Sequence, residues 1–226
     1  MTKVEPATYV SFPVFRRLPH AFGEGGIDVE EAVQEWEVLF KEFADRVTVR
    51  GVYSAAGFRP DADLLLWWIG EAPDVLQEFL VRLRRTALGA ALEQTWAFVG
   101  VHRPPEFNPQ HVPAFLRGAE PEKYLCVYPF VRTAEWYLLP EEERGGLLRI
   151  HGEIGREFPD VLPNTTSAFG LGDWEWILAF EAERLERIVD CIRRLRAAEA
   201  RRYTKVEVPF VVGIRKELGD AVGDLA

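Results

Sequence analysis

YLCVYPFVR, residues 124–132, decides how this chain is organised, because YVSFPVFRR at residues 9–17 precedes it as an echo. A second, weaker echo joins LLLWWIG at 64–70 to WEWILAF at 174–180. Working outward from the first copy, a β-rich stretch over 7–15 precedes a segment, 29–43, whose apolar residues fall near helical spacing (Val29, Ala32, Val33, Trp36, Leu39, Phe40, Phe43). Strands over 47–53 and 62–69 follow around a Gly-Pro turn, then a helix over about 73–88 and a strand over 95–101. After the second copy the order returns: helix over about 140–158, strands over 165–169 and 174–180, helix over about 182–198, strand over 204–214. Each half therefore reads β-α-β-β-α-β.

Pro104, Pro105, Pro109 and Pro113 crowd the stretch between His102 and Pro121, a density that opposes long regular structure. The expected division is an N-terminal half at 1–103, a linker at 104–121 and a C-terminal half at 122–226. Two such units in tandem imply an α+β fold: a duplicated ferredoxin-like arrangement, each sheet with helices on one face, packed as a dimeric α+β barrel. Each sheet then offers a cavity between itself and its helices.

Composition narrows the function. Of 226 residues 48% are apolar, with seven Trp and fifteen Phe, enough for a packed core and for aromatic surface against a flat ligand. No apolar run reaches the roughly 20 residues of a membrane span, and no basic stretch leads into an apolar signal region, so a cytoplasmic protein is expected. Cys126 and Cys191 lie far apart without CxxC spacing and read as buried thiols. A net charge of -9 opposes binding to nucleic acid.

Among four histidines, His151 has the informative setting. In PEEERGGLLRIHGEIGREF, 140–158, it shares a helical face with Leu147, Leu148, Ile154 and Phe158, while Glu153, Arg156 and Glu157 can point to solvent. A neutral inward imidazole beside Gly152 suits an axial iron ligand, and suits equally a core histidine bonded to a carbonyl. His111, in FNPQHVPAF, is an idle loop residue unless the linker folds over a cavity, where it could act as a base above bound iron. Tyr128 precedes Pro129, which implies an edge strand or a bulge; its side chain either points into a cavity or packs in the core with its hydroxyl at the rim. Arg132 shares the strand face of Tyr128 and either receives a carboxylate or is solvated. Trp174 and Trp176 share a face that suits a porphyrin plane or ordinary packing. Arg201 and Arg202 are adjacent at a strand start, where only one can face a cavity.

YPFVR (128–132), EWYLLPEEER (135–144), HGEIGREF (151–158) and GLGDWEW (170–176) together resemble, in order and spacing, the C-terminal part of the chlorite dismutase superfamily, and within it most closely the coproheme decarboxylases of actinobacteria. The likeness spans essentially the whole chain. It implies two ferredoxin-like halves with porphyrin only in the second, His151 as the proximal iron ligand, Tyr128 as a redox-active tyrosine and His111 as the distal base that activates peroxide. Trp176 and Trp136 would line the porphyrin, while Arg132 and one of Arg201 and Arg202 would hold propionates. The implied reaction converts iron-coproporphyrin III (coproheme), at once substrate and cofactor, to haem b with hydrogen peroxide, as the last step of haem synthesis. The resemblance also implies a homo-oligomer, usually a pentamer. PDVLPNTTSAFGLG, 159–172, lacks the distal arginine that chlorite chemistry needs, so a chlorite dismutase-like peroxidase is disfavoured. A haem carrier or store without turnover is the rival reading, and Tyr128 separates the two because a carrier has no use for a redox tyrosine.

Overall fold

The computed structural model describes residues 7–104, 106–107 and 112–226. Their contacts divide the chain into two compact units, one running up to His102 and taking in Val211–Ala226, the other comprising Arg103–Phe210. The fold is mixed α+β, with antiparallel strands and helices in each unit.

The first unit opens with β1 (Tyr9–Arg17), α1 (Val29–Glu42), β2 (Val47–Arg59), β3 (Ala62–Gly70), α2 (Pro73–Arg84), α3 (Ala87–Ala90) and β4 (Leu92–Val101). Asp28 starts α1 by accepting the Glu31 N–H at 3.0 Å, and Ala32, Trp36 and Leu39 turn its apolar stripe inward. The helix expected over 73–88 is in fact two. At the break the Thr86 hydroxyl donates to Leu83 O at 2.7 Å and accepts from Gly89 N at 3.1 Å, closing α2 and capping α3 with one side chain. The same oxygen receives the Trp36 indole N–H at 2.8 Å. In β3, Leu64, Leu65, Leu66, Trp67 and Trp68 are all fully buried, so the strand is covered on both faces.

The second unit holds a 3-10 turn (Ala114–Arg117), β5 (Tyr124–Arg132), α4 (Ala134–Leu138), α5 (Glu141–Gly155), β6 (Leu162–Ser167), β7 (Trp176–Ala182), α6 (Leu185–Leu195), a second 3-10 turn (Glu199–Tyr203) and β8 (Thr204–Val206). Strand β7 pairs with β6 on one side and β5 on the other, and β8 pairs with the end of β5. Pro129, opposite Ile177, has no N–H to give a ladder, and the pairing of β5 with β8 shifts register between Val131 and Arg132, two residues on. The strand expected over 204–214 divides into β8 and β9 (Val211–Lys216), with Pro209 between them. Strand β9 pairs with β2, and the closing helix α7 (Leu218–Gly223), which periodicity did not reveal, buries Leu218, Ala221 and Val222 in the first unit.

Strand β6 lies three residues earlier than the apolar pattern suggested, and a polar network explains why. Asn164 is buried, receives the Phe115 N–H on Oδ1 at 3.0 Å, and donates from Nδ2 to Ala179 O at 3.1 Å and to the Glu181 carboxylate at 3.0 Å. Glu181, fully buried on β7, also accepts the Glu122 N–H at 3.3 Å. Satisfied in this way, two polar side chains are held inside the sheet and fix residues 115–122 to its face.

Candidate functional site

Several elements of the second unit converge on one cleft. Strand β5 contributes Tyr128, Phe130 and Arg132 at alternate positions; α5 contributes His151; and α6 with the turn after it contributes Ile192, Leu195, Arg196, Ala200 and Arg201. Leu178 and Phe180 of β7 form the apolar floor, and Glu207 lies at the edge. The enclosed space is about 70 Å³, a slot narrower than most small-molecule clefts.

His151 lies on the partly covered side of α5, a helix of which Ile154 alone is fully buried. Glu153, Arg156 and Glu157 are exposed, as the periodicity required. Burial, reinforced by the positive charge of Arg132, pushes the His151 imidazole down to about 4, so the ring is neutral near pH 7 and keeps a lone pair. Gly152 next to it leaves room: an added Cβ would meet only Arg156 Nη1, at 3.9 Å.

Tyr128 is 4% exposed, with its ring stacked on Phe210 at 4.4 Å and edge-on to Phe180 at 5.8 Å. Desolvation holds its phenol well above the ordinary tyrosine range, so it is a protonated O–H donor throughout the neutral range. Arg132 is fixed from several sides. Its backbone N–H donates to Glu175 at 2.7 Å, its guanidinium donates to Ala200 O at 3.1 Å, and the same group lies 4.1 Å over the Trp136 ring. Burial lowers it to about 10, which still leaves it charged at neutral pH.

Structure thus brings Tyr128, Arg132, His151 and Arg201 together. Arg202 stands apart: it is paired with Glu199 on the exposed side of a 3-10 turn, whereas Arg201 lines the cleft and donates to Glu207 at 2.8 Å. The two arginines were expected at a strand start, and the tighter turn separates them in its place. Trp136 and Trp176 do not line the cleft. Trp136 is buried beneath Arg132, and Trp176 stacks on Phe130 at 6.2 Å and meets Phe169 edge-on at 5.5 Å. His111 lies outside the described residues. Two charged lining residues escaped sequence reasoning, Arg196 and Glu207; Arg196 caps α6 among other exposed arginines and carries no distinguishing signal in the sequence.

A profile of the family described as chlorite dismutase matches residues 29–216. The chain belongs to the chlorite dismutase family. Among curated relatives it is 48% identical over 219 residues to a coproheme decarboxylase of Mycolicibacterium smegmatis, covering 96% of this chain and 94% of that one. A coproheme decarboxylase of Thermus thermophilus is 30% identical over 199 residues, 82% of this chain and 78% of the relative. Among solved structures, a variant of the chlorite dismutase from Candidatus Nitrospira defluvii superposes with a TM-score of 0.86 at 24% identity, covering 97% of this chain and 95% of the other. The same protein in complex with imidazole gives 0.83 at 23% identity, with 96% and 94% covered. At such identities the likeness to these chlorite dismutase family structures is one of fold. Among the described residues no helix is long and apolar enough to cross a membrane.

Proposed function

We propose that this chain converts coproheme to haem b by oxidative decarboxylation, with hydrogen peroxide as the oxidant. The observation that carries this reading is the convergence of Tyr128, Arg132, His151 and Arg201 on one cleft, in a chain 48% identical to a coproheme decarboxylase. In each round one propionate leaves as carbon dioxide and a vinyl group remains, while peroxide is reduced to two waters. Two rounds give haem b.

The residues present fit an iron porphyrin. The imidazole is neutral and half-buried, the floor is apolar, and guanidinium groups at the edge are placed for carboxylates. When bound, the porphyrin iron supplies the two-electron chemistry with peroxide, and the protein supplies position and electrostatics. His151 would hold the iron, and its neutral ring has the lone pair to do so. Arg132 and Arg201 take propionates, Arg202 does not, and Trp136 acts by holding the Arg132 guanidinium in place. Tyr128 would relay an oxidising equivalent to a propionate, and the stacked ring of Phe210 fixes its orientation. His111 serves as the base for peroxide, and Trp176 backs the wall formed by Phe130.

The element orders β1-α1-β2-β3-α2-β4 and β5-α5-β6-β7-α6-β8 support a tandem duplication of ferredoxin-like units forming an α+β barrel, with 1–103, 104–121 and 122–226 as its halves and linker along the sequence, although residues 211–226 pack in the first unit. The protein is cytoplasmic and works as a homo-oligomer, a pentamer in keeping with the family resemblance.

Mixing purified protein with coproheme and then peroxide, followed by chromatography of the extracted pigment, tests the proposal. Conversion to haem b through a three-propionate species is expected. Intact or bleached coproheme only, with a normal Soret shift on binding, would leave a porphyrin carrier in its place.

A further inference from the structure

One oxygen of Glu207 accepts from two guanidinium groups, Arg196 Nη2 and Arg201 Nη1, each at 2.8 Å. All three residues line the cleft, and the Glu207 side chain is only 17% exposed. Two cations facing one carboxylate leave a surplus positive charge beside an apolar floor, a setting in which a second carboxylate would be welcome. The same geometry has another property. The two guanidinium groups are themselves 45% and 39% exposed, so solvent screens their pairing with Glu207 and a ligand carboxylate can compete for them.

We propose that Arg196, Arg201 and Glu207 form a carboxylate-exchange site, in which Glu207 occupies the two guanidinium groups as a resident counter-ion and competes with a porphyrin propionate for them. This rests on the reading of the chain as a coproheme decarboxylase. Coproheme carries four carboxylates and haem b two. A carboxylate able to displace Glu207 holds the substrate at this wall, and after it is lost as carbon dioxide Glu207 closes on the arginines again. Glu207 is therefore a specificity-determining residue: it weakens the hold on the carboxylate-rich porphyrin and leaves the carboxylate-poor one almost untouched.

Equilibrium titrations followed at the Soret band, with ferric coproheme and ferric haem b as the two probes, test this on the full-length wild type, Glu207→Gln, Arg196→Gln and the double variant. Glu207→Gln keeps side-chain size and removes the charge; it is expected to tighten coproheme by about fivefold, the scale of a half-exposed ion pair, and to change haem b by less than about twofold. Arg196→Gln should weaken coproheme by a similar factor, and in its background Glu207→Gln should have less effect, since the two share an interaction. Equal changes for both porphyrins, or weaker coproheme binding by Glu207→Gln, overturn the exchange site while leaving the decarboxylase reading intact. No Soret change with wild-type protein and either porphyrin overturns both. Should Glu207→Gln prove unfolded by its thermal melt, a loss of discrimination between the porphyrins in Arg196→Gln supports the site and its retention overturns it.

Discussion

Three side chains of the cleft, the His151 imidazole, the Tyr128 phenol and the Arg132 guanidinium, are made unusual by their surroundings. Tyr128→Phe keeps the ring that stacks on Phe210, so folding and porphyrin binding should stay close to wild type, while formation of the three-propionate species should fall by at least about a hundredfold. Chromatography of single-turnover mixtures measures it, and a variant that still turns over normally would remove Tyr128 from the oxidation path. His151 gives a pH prediction for the ligand-free protein. In the unfolded chain the imidazole titrates near about 6.5. In the folded chain it is pushed down to about 4, so between these values the unfolded state binds more protons and the folded state loses stability as pH falls. Above about 6.5 the group contributes no pH dependence. His151→Gln should therefore show a shallower decline in melting temperature from pH 7 to pH 5 than the wild type, and parallel declines would contradict the burial of a neutral ring.

At the scale of elements, strands and helices whose apolar faces set them were legible, and those set by polar side chains were not. The stripe of Ala32, Trp36 and Leu39 made α1 readable, and the unbroken apolar run made β3 readable as a strand, though its burial on both faces shows only in the structure. By contrast, the division of α2 from α3 depends on one hydroxyl of Thr86, and the true start of β6 depends on Asn164, neither of which leaves a periodic trace. The site was partly legible for the same reason: Tyr128 and Arg132 fall on one face by strand alternation, but the separation of Arg201 from Arg202 needs the 3-10 turn to be seen. Asn164→Ala should cost about 2 to 4 kcal/mol, because it deprives the Phe115 N–H and the buried Glu181 carboxylate of a partner at once. Urea denaturation at pH 7 measures this; a loss below about 0.5 kcal/mol would show that the network is not holding β6 and β7 together.

At the scale of the whole molecule, the two units share an element order and differ in what fills the space between sheet and helices. In the first, aromatic side chains close it: Trp68 meets Phe79 at 4.9 Å, Phe43 meets Phe79 at 5.0 Å, and Trp36 is fully buried among them. In the second, the corresponding surface carries Tyr128, Arg132 and His151 around an open slot. Sequence echoes reveal the repetition but not which copy is packed shut, since that depends on how bulky side chains meet in three dimensions. Titration with coproheme should accordingly reach its endpoint at one porphyrin per chain, and an endpoint at two would mean that the first unit opens. The most direct test of the central claim is the ligand set of the iron in protein loaded with ferric coproheme, read by electron paramagnetic resonance with ¹⁵N-labelled histidine. Nitrogen coupling from one axial imidazole is expected in the wild type and should vanish in His151→Ala; coupling that persists in that variant would contradict ligation by His151 and, with it, the assignment of the cleft.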